Sequence, residues 1–306
     1  MKNTAHSMTI SFIICTYNRD KYIYECLKRL VANTVQTDWE IILINNNSTD
    51  NTAAECERFV SNYKPANYHY FLETNQGLSF ARNRGIAEAH GKWLVFLDDD
   101  AMVDVDYIAN LKHHLCLHKE AGAFGGQIEP FFEEKEPDWL NPWAMSFVSA
   151  MDMGEQVKLF PTDKYPIGAN MGISRETIEK IGTFNTSLGR IGNNLLGGEE
   201  KDMFLRIRNA GIPILYLTGI KVRHCIPHKR TTKEFIEKMG IGVGVSEKLR
   251  TQNIGSRAYY KRIFFEIIKW GGTIILWCYY MLRLQPAKGN ILVTFRKSVT
   301  CGLFGN

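Results

Sequence analysis

Apolar and polar residues alternate in blocks along the first two thirds of the chain. Ile10-Ser11-Phe12-Ile13-Ile14-Cys15 is a compact apolar run, the pattern of a strand buried on both faces. After polar Thr16-Tyr17-Asn18-Arg19, residues Ile23, Leu27, Leu30 and Val31 recur at helical spacing. The plan then repeats: a strand at Glu40–Ile44, a polar turn at Asn45–Thr49, and a helix to about Asn62. Thr52-Ala53-Ala54-Glu55 has the form of a capping box for that helix. A weaker strand follows at Tyr68–Leu72, then a turn with Gly77 and a helix over about 79–90. Trp93–Leu97 is a fourth strand, ending at Asp98-Asp99-Asp100, and a helix over about 106–118 comes next.

Strands alternating with helices predict an α/β fold with a mostly parallel, Rossmann-like sheet and right-handed crossovers. In such sheets ligands bind beyond the carboxyl ends of the strands. The Thr16–Arg19, Asn45–Ser48 and Asp98–Asp100 segments all fall there. Residues 130–198 are less regular, broken by Pro130, Pro137, Pro142, Pro161 and Pro166, with Trp139 and Trp143 among them. A binding loop or lid and a packed irregular segment both fit this stretch. Regular structure returns as a helix over about 200–210 and strands at 214–217 and 221–224.

Composition narrows the class. The chain has 306 residues, 45% hydrophobic and 23% charged, which excludes a disordered, collagenous or polytopic membrane protein. The net charge of +5 hides an asymmetry. Residues 1–220 carry 21 basic and 28 acidic side chains, a net of −7; residues 221–306 carry 16 and 4, a net of +12. The acidic part would repel phosphate backbones, so nucleic acid is not an expected partner. Seven cysteines with no C-x-x-C pair point away from a disulfide framework and towards a reducing, cytoplasmic compartment. No signal-peptide core is read at the N-terminus.

Three adjacent carboxylates at Asp98–Asp100 repel one another unless a cation or donors offset them. Such oxygens suit Mg²⁺ or Mn²⁺, and they also suit a solvated turn that caps the next helix. A phosphatase motif would sit on the first strand with Thr or Val at its fifth position; here that position is Met102 and the strand is the fourth. Gly77-Leu78-Ser79-Phe80-Ala81-Arg82-Asn83 sets free N–H groups and Arg82 at a helix start, a diphosphate-compatible environment. Neither a G-x-G-x-x-G fingerprint nor a P-loop lysine is present. Gly197-Gly198-Glu199-Glu200 opens another helix, where acidic residues also suit the dipole. His224 and His228 follow an apolar stretch, and a lone histidine becomes a ligand candidate only beside a suspected metal.

Taken in order, these segments resemble family 2 glycosyltransferases of GT-A fold. The resemblance runs from Phe12–Arg19 through Ile44–Asp50, Asn75–Asn83 and Phe96–Asp100. It continues with Gly168–Gly172, Gly182–Asn185 and Gly198–Asp202, and covers about residues 9–230. It implies an inverting, metal-dependent enzyme that moves a sugar from a nucleotide-sugar donor, UDP-linked in the usual case, to a hydroxyl of a glycan or lipid-linked acceptor.

By position, the resemblance gives Thr16, Tyr17, Asn18, Arg19, Asn46, Gly77, Arg82, Asp98 and Asp99 to the nucleotide sugar. Asn46 stands where an aspartate usually meets the base. Asp100 and His224 match the metal ligands. Glu200 matches the general base, with Glu199 and Asp202 as fallbacks, although Asp202 is also placed to pair with Arg206. Asn170, Trp139, Trp143 and Glu199 fall on the acceptor or sugar side. The expected organisation is a catalytic domain over 1–230, with a nucleotide part over about 9–120 and an acceptor part over 121–230. A helical basic region follows over 231–306. A non-catalytic sugar-nucleotide-binding or scaffold protein of the same fold is the alternative. A nucleotidyltransferase would need a Gly-rich basic loop, which Thr16–Arg19 is not.

The C-terminal region mixes Lys and Arg with apolar and aromatic residues. The charge-free run Trp270–Leu282 has 13 residues, roughly 20 Å as a helix and short of a bilayer core. The segment over about 259–284 therefore reads as lying on a membrane surface, the cytoplasmic face, rather than spanning it. A helical pair packed on the protein is the other reading.

Overall fold

The computed structural model describes residues 8–33, 38–190 and 197–305. The leader reading on residues 1–7 lies outside them. The chain divides into two compact units: Met1–Glu129, Met151–Thr186 and Glu200–Cys225 form one, and Pro130–Ala150, Ser187–Glu199 and Ile226–Asn306 the other. The division by packing is thus not a single cut near 230, because two middle segments go with the C-terminal helices.

The first unit is built on a twisted sheet. Strands β1 (Ile10–Thr16), β2 (Trp39–Asn45), β3 (Tyr68–Leu72) and β4 (Trp93–Asp98) are parallel, in the order β3-β2-β1-β4. Helices α1 (Ile23–Val31), α2 (Thr52–Tyr63) and α3 (Leu78–Glu88) make the crossovers, as the alternation predicts. Beyond β4 the sheet turns antiparallel. β5 (Ala101–Val103), β6 (Ala123–Phe132), β7 (Lys158–Leu159), β8 (Met171–Ser174) and β9 (Ile214–Ile226) complete it, with α4 (Tyr107–Leu117), α5 (Arg175–Ile181) and α6 (Glu199–Asn209) interspersed. The two strands expected at 214–217 and 221–224 are one element, β9, running through Gly219, whose left-handed φ of +71° suits glycine.

Side-chain alternation puts a core on each face of the sheet. Ile10, Phe12 and Ile14 join Leu27, Leu30, Phe59 and Ile108 on one face. Ile13, Ile42, Ile44 and Phe96 join Ala81, Met203, Phe204 and Ile207 on the other. The capping box expected at Thr52 does not form. Asn51 is the cap position, and the Thr52 N–H and hydroxyl both donate to Asp50 Oδ1, at 3.0 and 2.5 Å. An Asx turn there takes the Thr52 N–H, and the Glu55 N–H donates to the Asn51 carbonyl at 3.0 Å.

The second unit is dominated by three long helices: α7 (Lys233–Ile254), α8 (Ser256–Leu282) and α9 (Pro286–Phe304). Small residues let α7 and α9 approach closely. A Cβ on Gly302 would lie 2.1 Å from the Ile241 carbonyl oxygen, and one on Gly244 2.2 Å from that of Val299. Ala144, Phe147, Ile236, Tyr280 and Ile291 form an apolar cluster in this unit, with Trp139 and Phe295 packed against it. Among the described residues no helix is long and apolar enough to cross a membrane.

Charge is buried between these helices. Arg262 Nε donates to Glu247 Oε2 at 3.0 Å and Arg262 Nη1 to Glu266 Oε2 at 2.7 Å, while Arg296 Nη1 donates to Glu266 Oε1 at 3.0 Å. Burial by itself would raise the Glu266 pKa, but hydrogen bonds from Arg262 and Arg296 hold it below the ordinary carboxylate range. Its folded pKa is thus lower than its unfolded one. The stabilisation is complete above the unfolded value and is lost as pH falls through the folded value. Urea unfolding between about pH 5 and pH 3 is expected to show a loss of stability that Glu266→Gln, less stable at neutral pH, shows to a smaller degree.

Candidate active site

The carboxyl ends of β1, β2 and β4 hold the first group of functional residues. Thr16, ending β1, is buried, and its carbonyl accepts from the Asn46 N–H at 2.8 Å. The loops after β1 and β2 are clipped together. Asn18 N–H donates to Ser48 Oγ at 3.0 Å, Thr49 N–H to Asn18 Oδ1 at 2.8 Å, and Arg19 N–H to Thr52 Oγ1 at 2.9 Å. Asn18 and Asn47 adopt left-handed φ values of 54° and 60°, which asparagine tolerates better than most residues.

Asp98 ends β4, and Asp99 and Asp100 form the turn into β5. β5 pairs antiparallel with β9, with Ala101 opposite His224 and the Cys225 N–H donating to the Asp100 carbonyl at 2.9 Å. That register brings His224 Nε2 to 2.9 Å from Asp100 Oδ1 and 3.9 Å from Asp98 Oδ2. Asp98, Asp100 and His224 each offer a ligand atom, all within 4.8 Å of one another. Two carboxylate oxygens and an imidazole nitrogen form a donor set that could hold a divalent metal. Asp98 joins Asp100 and His224 in this set, a role the sequence reading did not give it.

Arg19 supplies positive charge to the same cluster. Its Nε lies 3.4 Å from Asp99 Oδ1 and its Nη2 3.3 Å from Asp100 Oδ2. Burial pushes the Asp99 carboxyl up to about 7; Arg19 pulls it down, and Asp100 and Asp98 add to the rise. The three adjacent carboxylates are thus not a solvated surface turn: Asp99 and Asp100 are buried.

A second group is built around Arg82 of α3. Arg82 is 2% exposed, and its Nη2 donates to Glu200 Oε1 at 3.1 Å. The guanidinium also lies over the Phe184 ring, 5.3 Å from its centroid. The adjacent Asn83 fixes that ring's backbone by donating to the Phe184 carbonyl and accepting from the Phe184 N–H, both at 2.9 Å. Gly168 makes room for the pair: a Cβ there would lie 2.1 Å from Arg82 Nη2 and 2.7 Å from Glu200 Oε1. Because β8 pairs antiparallel with β4, Met171 opposite Phe96, Gly168 lies at the carboxyl end of β4. Glu200 and Asp98 therefore share one end of the sheet. Asp202 pairs with Arg206 at 2.9 Å, as i, i+4 spacing allows.

Two asparagines are placed differently from the sequence reading. Asn46 is buried; Nδ2 donates to the Glu73 and Asn75 carbonyls at 3.0 and 2.7 Å, and Oδ1 accepts from the Gly77 N–H at 2.8 Å. Its amide holds the 73–77 loop, so an edge-on contact with a base would cost one of these bonds. Asn170 is fully buried. Its Oδ1 accepts from the Tyr107 hydroxyl at 2.6 Å and its Nδ2 donates to the Gln127 and Ile220 carbonyls at 3.0 and 2.8 Å. That makes it a brace within the sheet rather than a surface for an acceptor. Trp139, Trp143 and Glu199 belong to the second unit. There Trp139 Nε1 donates to the Thr231 carbonyl at 2.9 Å, Trp143 is exposed and Glu199 is buried.

The pairs Arg19 with Asp99 and Arg82 with Glu200 had no sequence signal, since 80 and 118 residues separate their members.

The sequence profile described as Glycosyl transferase family 2 matches residues 11–182. The chain belongs to that family and is a glycosyltransferase. The glucosyl-dolichyl phosphate glucuronosyltransferase of Haloferax volcanii is 22% identical over 250 residues, 79% of this chain and 77% of that one. The mannosyltransferase PcManGT of Pyrobaculum calidifontis, solved with GDP-Man and Mn²⁺, superposes with a TM-score of 0.63 at 16% identity, covering 96% of this chain and 87% of that one. GalNAc-T7, solved with UDP, GalNAc and Mn²⁺, gives 0.56 at 18% identity, covering 78% of this chain and 48% of that one. These likenesses establish the GT-A fold.

Gly168→Ala tests the Arg82–Glu200 arrangement in this glycosyltransferase. Its methyl group must displace the pair, so sugar transfer is expected to fall about 100-fold with the circular dichroism spectrum retained. Wild-type turnover in this variant would mean that the pair's position is not required.

Proposed function

We propose that this chain is an inverting glycosyltransferase that takes a sugar from a nucleoside-diphosphate donor, UDP-linked by family resemblance. The acceptor is a hydroxyl of a glycan or lipid-linked glycan made for the cell surface, at the cytoplasmic face of a membrane. The observation that carries the reading is the convergence of Asp98, Asp100 and His224 at the sheet end that also holds Glu200. The H. volcanii relative, named for a dolichyl-phosphate-linked acceptor, supports the acceptor class.

Glu200 acts as the general base. As the acceptor oxygen attacks the anomeric carbon, its proton passes to the Glu200 carboxylate and the bond to the diphosphate oxygen breaks, inverting the centre. Arg82, donating to Glu200 Oε1 at 3.1 Å, holds that carboxylate in position for the proton. Asp98, Asp100 and His224 would hold a divalent metal, Mn²⁺ or Mg²⁺, which when bound supplies charge stabilisation for the leaving diphosphate. Arg19, spanning Asp99 and Asp100, offers a guanidinium to the same developing charge. The loop pinned by Asn46 presents Gly77 and the α3 N-terminus to the donor's phosphates.

Two variants test this. Glu200→Gln is expected to lower transfer by about 10²–10⁴-fold while donor affinity, measured by calorimetry across a panel of nucleotide sugars with Mn²⁺, is unchanged. Asp100→Ala is expected to abolish the Mn²⁺ dependence of donor binding. Near wild-type turnover by Glu200→Gln would remove Glu200 as the base.

A further inference from the structure

Helix α8 is packed inside out. Its buried side chains are Arg262, Glu266, Thr273 and Tyr280. At 100° per residue they line a single side of the helix. The opposite side is apolar and exposed: Phe264 61%, Ile267 66%, Ile268 53%, Ile274 52%, Ile275 70% and Leu282 86%. Gly271 and Gly272 lie in the same stretch, and a Cβ on either would meet nothing within 4 Å. From Phe264 to Leu282 this face is roughly 27 Å long. The only charges in that stretch are Glu266, buried in the arginine network, and Lys269, which helical spacing sets beside the inward side.

A helix of a water-facing protein turns its apolar side to the core. Here the two arginines and two glutamates between α7, α8 and α9 hold the polar side of α8 inward, and the apolar side is left outward. An uncovered apolar face of this size marks an interaction surface. The flanking charge says what covers it. From Lys248 to the end of the described chain there are ten Lys and Arg and one acidic residue, the buried Glu266. Arg257 and Lys261 stand exposed at one end of the face and Arg283 at the other. A second copy would set these cations against their equals, whereas an anionic lipid surface attracts them.

We propose that the outward face of α8 is the membrane-docking surface of this protein, lying in the plane of an anionic bilayer. Phe264, Ile268 and Ile275 enter the acyl boundary, and Arg257, Lys261 and Arg283 meet lipid phosphates. The helix does not cross the bilayer, because its inward side carries Arg262, Glu266 and Thr273. This deepens the membrane part of the proposed function, and its test needs neither donor nor acceptor, so it stands or falls separately from sugar transfer.

The test is cosedimentation of the full chain with phosphatidylcholine vesicles, with and without phosphatidylglycerol, paired with light scattering in the absence of lipid. The wild-type protein is expected to bind the phosphatidylglycerol vesicles, more weakly as salt rises. The triple variant Phe264→Ser, Ile268→Ser, Ile275→Ser removes only exposed side chains and is expected to keep its helical circular dichroism and bind at least ~100-fold more weakly. Arg257→Gln with Arg283→Gln should retain residual binding but lose most of the preference for phosphatidylglycerol. The proposal is overturned if wild-type protein stays in the supernatant with both vesicle types or the triple variant binds like wild type. It also fails if the face instead mediates a wild-type dimer that the triple variant abolishes and that does not bind vesicles.

Discussion

Three carboxylates in sequence at the end of a buried strand are the constraint around which this active-site end is organised. Asp99 and Asp100 are withdrawn from water, where their repulsion is strongest. The fold answers with groups from two distant places: the Arg19 guanidinium from the loop after β1, and the His224 imidazole from the last strand of the sheet. The order β3-β2-β1-β4 sets β1 beside β4, so the Arg19 loop adjoins the acidic turn. The pairing of β5 with β9 sets Ala101 opposite His224 and puts the imidazole on Asp100. A metal would join an electrostatic balance that the protein side chains have already begun.

The same economy holds for the buried amides. Asn46 and Asn170 look in sequence like ligand-binding groups, because asparagine offers both a donor and an acceptor. Both are spent within the protein. Asn46 ties the 73–77 loop to the end of β2, and Asn170 ties Tyr107, Gln127 and Ile220 together behind β4. Left unpaired, either would cost the desolvation of a buried amide. Their bonds hold the backbone that leads to Gly77 and to Gly168.

In the second unit the balance runs the other way. Between α7, α8 and α9 the buried Glu247, Arg262 and Glu266 engage one another and Arg296, and large apolar side chains face outward on α8. A buried ion network contributes little net stability, because desolvation offsets most of its attraction, but it specifies which side of a helix turns inward. From Lys248 onward the basic excess noted in the composition faces a single acidic residue, the buried Glu266.

Much was legible from sequence alone. Apolar runs located β1, β2 and β4 and the helices between them, since a strand buried on both faces must be apolar throughout. The motifs Asp98–Asp100, Asn75–Asn83 and Gly198–Asp202 marked the right end of the sheet. Local pattern could not show that the strands after β4 run antiparallel, that the expected strands at 214–217 and 221–224 are one, or that residues 130–150 pack with the C-terminal helices. Those are decided by pairings between distant segments. Nor could it assign Asp98 to the metal group, Arg82 to Glu200, or the polar side of α8 to the interior. Hydrophobic periodicity reports which residues avoid water near their own backbone. That Arg19 meets Asp99 and Arg82 meets Glu200 is settled only when the tertiary structure brings together residues 80 and 118 positions apart.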